Sequence, residues 1–177
     1  KVDWAAHGND IGALLFDQLA FDNAIQVAMD FAKKDGNTLV VVTSDHGNAN
    51  PGLIYGAECN QNFDNLAHFR HSNDFTLQSI NLTDTPSQVR DRLIYSFGKV
   101  PFSLEEAKQI LSFYTEGKQE NGLYNYKNLP YSLLAEIQKK HTSVGWISMD
   151  HSSDYTELAM YGPGSQNLPP FIENYKM

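Results

Sequence analysis

Five side chains in this sequence could hold metal between them: Asp3, His7, Asp45, His46 and His151, two carboxylates and three imidazoles. Oxygen and nitrogen donors without thiolate suit zinc better than calcium or magnesium. Five are too many for one tetrahedral zinc that keeps an open position. They match two neighbouring metals that share a phosphoryl transfer, one at the nucleophile and one at the leaving oxygen. Asp3 and His7 stand four apart, a spacing that sets both on one face of a helical turn, although a surface Asp with a nearby His would read the same way. His68 and His71, three apart, form a weaker pair with no cysteine or carboxylate pair beside them.

Donors so far apart in sequence need elements that gather them. The organising stretch is Asn37 to Asn50, NTLVVVTSDHGNAN, in which Leu39 to Thr43 are apolar or β-branched without alternation. Such a run predicts a central strand buried on both faces of a parallel sheet. Asp45, His46 and Gly47 then fall at its carboxyl end, where open α/β sheets bind ligands. Before the strand, apolar residues from Phe16 to Lys34 recur with a helical period, and Gly36 is the expected left-handed residue past the helix end. After it, Ala49 to about Ser72 is rich in Asn, Gly and aromatics and predicts an irregular loop. Three helices follow, from Pro86 through Phe97, from the Ser103–Glu106 capping box toward Thr115, and from Tyr131 to Lys140. They read as an insertion packed beside the sheet, a structural cap or a partner surface. Thr156 to Tyr161 (TELAMY) returns to strand, with His151 just before it and Gly162-Pro163-Gly164 after it.

Composition bounds the partners. The 177 residues are 41% apolar and 12% aromatic, enough for one domain with a buried core. Twenty-one acids against 13 bases, a formal charge of -8 with no basic block, argue against nucleic acid or an anionic membrane as partner. No apolar run reaches membrane-spanning length. The one cysteine, Cys59, excludes an internal disulfide framework. The chain opens at Lys1 without an initiator methionine or a signal peptide, as expected of a processed or trimmed piece.

DxxxH at Asp3–His7, the helix running into FAKKDGNTLVVVTSDHG, and GWxSxDHSSDYTELAMYGPGS resemble the carboxyl-terminal half of alkaline phosphatase. The similarity covers roughly residues 1 to 52 and 141 to 166, and 53–140 reads as a variable insertion within a partial domain spanning 1–177. The resemblance implies an α/β fold with a parallel-rich sheet flanked by helices. It implies two zinc sites, one from Asp3, His7 and His151 and one from Asp45 and His46, with His141 of the HTxxGW segment as reserve for His151. It further implies a third, magnesium site whose ligands fall mostly outside this chain, and a nucleophilic serine with no counterpart here. Trp4 stands where some members carry a basic residue that holds phosphate through water. For the intact enzyme the implied reaction is hydrolysis of phosphate monoesters through a phosphoserine, with this chain alone inactive. Periplasmic or secreted localisation, and a homodimer or association with the missing amino-terminal half, are implied likewise.

Other readings share these residues. TSDHGNAN also resembles cofactor-independent phosphoglycerate mutase, although the late DHSSDYTELAMYGPGS segment argues against it. Phosphodiesterases and sulfatases of the same superfamily use similar ligands. A non-catalytic metal-binding or interaction module, with 53–140 as its working surface, belongs to a different class altogether.

Overall fold

The computed structural model describes residues 1–176. A short helix α1 (Val2–His7) turns through Gly8 and Asn9 into the long helix α2 (Ile11–Asp35). The Asp10 side chain caps α2 by accepting the Ala13 amide, so the helix begins five residues before the apolar period becomes readable at Phe16. Gly36, at φ 71°, closes it in the left-handed conformation and donates its N–H to the Ala32 carbonyl.

Strand β1 (Val40–Thr43) pairs antiparallel with β6 (Leu158–Tyr161), in the register Val40 opposite Tyr161 and Thr43 opposite Leu158. Two shorter antiparallel ladders join β2 (Gly47–Asn48) to β5 (His151–Ser152) and β3 (Gly52–Leu53) to β4 (Val144–Gly145). The parallel-rich sheet expected from the apolar run is therefore not what the described residues form, since all three of their ladders are antiparallel. The reason is local. Among these residues the one strand-like run that reaches β1 is β6, which arrives from the opposite direction, and with one neighbour and α2 packed on it β1 leaves Val41 45% exposed.

The core lies elsewhere than under that sheet. It is built inside the excursion, by α4 (Asn73–Gln78), α5 (Pro86–Phe97), α6 (Leu104–Thr115) and α7 (Tyr131–Thr142), around Leu77, Val89, Leu93, Phe97, Ile110 and Leu134. Capping boxes start α5 (Thr85 with Gln88) and α6 (Ser103 with Glu106), each satisfying orphan amides at both ends of the motif. The stretch read as an irregular loop also carries α3 (Cys59–Asp64) and a 3-10 turn (Asn65–His68), because Leu66 and Phe69 anchor it to this core. So 53–140 is no thin cap. It holds most of the buried apolar side chains, and Asn9, Asp10 and Asn73 stitch it to α1 and α2: the Asn73 amide donates to Asp10 Oδ2 at 2.6 Å, and its side chain reaches the Asn9 carbonyl at 3.2 Å.

Candidate metal centre

Helix α1 sets Asp3 and His7 on one face, with His7 Nε2 3.6 Å from Asp3 Oδ1. His7 is buried, and its Nδ1 lies 2.6 Å from the Met149 carbonyl, a distance at which Nδ1 donates. That bond fixes the tautomer with the lone pair on Nε2. Nε2 is itself buried without a hydrogen-bond partner. Two acceptors, the imidazole lone pair and the Asp3 carboxylate, thus face each other, an arrangement a divalent cation satisfies and an empty dielectric does not.

The second half of the site is carried by the β2–β5 ladder. Asn48 pairs with His151 and Gly47 with Ser152. The strands approach so closely that a Cβ on Gly47 would sit 2.5 Å from Ser152 Oγ and 3.2 Å from an Asp154 carboxylate oxygen, which is why glycine follows the Asp-His pair. Beyond Asn48 the chain turns through Ala49 and Asn50 with φ of 55° and 44°. Non-glycine residues held there are strained, and the turn is secured by the Ala49 amide on the Asp150 carbonyl at 2.9 Å and by Asn50 Nδ2 on Asp154 at 2.5 Å. The Ser152 hydroxyl and the Asn50 amide hold the exposed Asp154 carboxyl below the usual carboxylate range.

Within this frame the His46 and His151 rings stack at 3.6 Å between centroids, and His7 lies 5.1 Å from His151. Asp3, His46 and His151 each offer one ligand atom, all within 4.8 Å of one another. Asp45 stands beside them, its carboxylate 3.5 Å from His46 Nε2, at the mouth of a cleft of about 870 Å³ walled by residues 153–157 and 169–173. The grouping nearest to a preformed metal site therefore takes His46 together with Asp3 and His151, while the resemblance divides His46 from them.

The other histidines lie apart from this group. His141, in the last turn of α7, bonds Glu106 at 3.1 Å and packs edge-on against Phe102. His71 is stacked between Phe75 and Tyr95, and His68 backs onto Gly98. Two contributors carry no signal in the sequence. Asn48, whose Nδ2 donates to Asp3 Oδ1 at 2.6 Å, reads as a loop former, and Tyr124, edge-on to His7 at 4.5 Å, comes from the far side of the excursion.

The family model described as alkaline phosphatase matches residues 1–177. Alkaline phosphatase 4 of Bacillus subtilis (strain 168) is 25% identical over 98% of this chain and 35% of its own length, and alkaline phosphatase 3 of the same organism is 29% identical over 98% and 36%. The crystal structure of Thermus thermophilus alkaline phosphatase superposes with a TM-score of 0.79 at 28% identity, covering 93% of this chain and 37% of that one. The chain thus spans about a third of the length of the curated relatives it matches. With a family match along its whole length, and a fold shared with a solved member, the chain belongs to the alkaline phosphatase family.

Proposed function

We propose that this chain supplies the greater part of the zinc cage of a phosphatase that hydrolyses phosphate monoesters through a phosphoserine, the serine standing outside residues 1–177. The observation that carries the reading is the convergence of Asp3, His46 and His151 beside the orphaned Nε2 of buried His7. Asp3, His7 and His151 hold one zinc, and Asp45 with His46 contributes to the second, while a magnesium site takes its ligands largely from the rest of the enzyme. Bound zinc supplies the positive charge that stabilises the transferring phosphoryl group.

The chain's own residues prepare for this. The Met149 carbonyl keeps the proton on His7 Nδ1, so that Nε2 is free to ligate, and Asn48 holds the Asp3 carboxylate toward the same point. The β2–β5 ladder keeps His151 in register with the segment that carries His46. In the assembled enzyme the open edge of β1 takes parallel strands from the remaining chain, and 53–140 acts as an insertion within one alkaline-phosphatase domain. No described helix is long and apolar enough to cross a membrane. A periplasmic or secreted enzyme, acting as a homodimer, fits the family reading.

The test is zinc content after loading and desalting, with hydrolysis of an aryl phosphate measured on the same sample. The chain is expected to retain zinc and to show no appreciable turnover. Loss of all zinc would overturn the cage, and zinc-dependent turnover by these 177 residues alone would overturn the external serine.

A further inference from the structure

The longest irregular loop of the excursion joins α6 to α7 and is bonded throughout. The Asn128 side chain accepts the Glu120 amide and donates to the Lys118 carbonyl, each at 2.9 Å, and Asn125 exchanges two bonds of 2.8 Å with Leu129. The Glu120 carboxylate receives the Ser132 and Leu133 amides at the start of α7. Long loops that are ordered by their own polar groups are commonly functional. What this one holds in place is a run of three residues, Gly122, Leu123 and Tyr124, each of which meets a different part of the candidate metal centre.

Gly122 lies so close to Met149 that a Cβ on it would sit 3.1 Å from Met149 Cε. The Leu123 amide donates to Asp150 Oδ1 at 3.0 Å. The Tyr124 ring stands at 81° to the His7 ring, with 4.5 Å between centroids. Each of these contacts bears on a metal donor, because the Met149 carbonyl receives the His7 Nδ1 proton and Asp150 immediately precedes His151. Met149 is gripped a second time from α7, whose Ser132 hydroxyl donates to Sδ at 2.7 Å. The run therefore touches His7 itself, the residue that accepts its proton, and the residue next to His151. His7 and Tyr124 also line one surface cavity of about 570 Å³. Without the Tyr124 ring, water from that cavity reaches the buried imidazole and competes with Met149 for the Nδ1 proton.

We propose that Gly122, Leu123 and Tyr124 form a positioning clamp through which the excursion sets the metal affinity of His7 and His151. The clamp holds the His7 ring with Nε2 aimed at Asp3 and keeps the Met149–His151 segment beside it. The proposal rests on the zinc-cage reading, and its test has a part that needs no metal. In the metal-free chain, at a pH where imidazole is neutral, the two ring-nitrogen resonances of His7 report which nitrogen carries the proton. The wild-type chain is expected to hold it on Nδ1. Tyr124→Ala and Asp150→Ala open the clamp at two separate exposed positions and are expected to average the two tautomers, with far-ultraviolet dichroism unchanged. Tyr124→Phe and Asp150→Asn are expected to keep the wild-type pattern, because the clamp uses only a ring and an acceptor at these positions. With zinc, chelator competition is expected to show affinity roughly 10-fold lower in the two alanine variants and unchanged in the conservative ones. An unchanged tautomer or an unchanged zinc affinity in both alanine variants, or an equal loss in the conservative ones, overturns the clamp. A wild-type chain that retains no zinc, while its His7 tautomer still depends on Tyr124, overturns the zinc cage instead and leaves the clamp standing.

Discussion

Asn48 donates its Nδ2–H to Asp3 Oδ1 at 2.6 Å and lies opposite His151 in the β2–β5 ladder, so one residue ties together two segments that carry candidate metal donors. Its amide orientation follows from chemistry, because Nδ2 faces both a carboxylate oxygen and the Asp3 carbonyl, at 3.2 Å, and only a donor belongs there. Asn48→Leu keeps the volume and removes the donor. Zinc affinity, measured by competition with a chromophoric chelator, is expected to fall by roughly 10- to 100-fold.

His141 and His151 separate by their neighbours. His141→Ala should leave zinc affinity unchanged but lower stability by about 1.5 kcal/mol, since a partly buried hydrogen bond to the Glu106 carboxylate is lost. His151→Ala should abolish zinc retention at its site and barely alter the denaturation midpoint. A chelator titration paired with urea unfolding reads both, and reversed phenotypes would move the ligand to His141.

Asp10 gives the chain a pH signature. Burial drives its carboxyl up to about 6, against the opposing pull of the Ala13, Asn73 and Gly12 amides. The folded chain thus holds this proton more tightly than the unfolded one, whose carboxyl has the ordinary value near 3.8. The contribution is full below that value and is lost as pH rises through about 6, a change of about 3 kcal/mol. Asp10→Asn keeps the Ala13 cap and removes the titration. The contribution of wild-type Asp10 relative to the variant should fall by that amount between pH 3 and pH 7.5 in urea unfolding. Glu106 and Asp84, both held below the usual carboxylate range, slope the other way in both proteins and cancel.

Helix α2 buries only Gly12 and Ala32 and exposes Phe16, Leu19, Val27 and Phe31. An apolar face of this extent drives association in water. Val27→Glu with Phe31→Glu should shift the isolated chain toward monomer in sedimentation velocity, with far-ultraviolet dichroism unchanged.

The sequence is most legible where a signal is local. Thr85-Pro86 and the Ser103–Glu106 box place α5 and α6 to the residue, and Gly36 ends α2 as its type requires. The five candidate donors are readable as residue types. What decides their arrangement is long-range: whether Val41 is sheathed depends on which strands flank β1, and the partners of Asp3 and His7 are Asn48 and a backbone carbonyl at Met149. A carbonyl has no identity in a sequence, and an asparagine in GNAN reads as a turn. The weight of the core inside 53–140 was hidden for the same reason, since helices with ordinary amphipathic faces do not announce that they pack on one another.

The bond from His7 to Met149 spans 142 positions. Closing a chain segment that long costs about 4 kcal/mol of entropy before any contact forms. By contrast, α5 and α6 are near neighbours in sequence and can dock early, giving a nucleus made of the excursion. The two ends of the chain then meet last, and their meeting point is the place where Asp3, His7, His46 and His151 come together. On the proposed zinc cage, metal uptake is expected to report the final step of folding: a stopped-flow zinc signal should lag behind helix formation, and zinc added early should change the rate of unfolding far more than the rate of collapse.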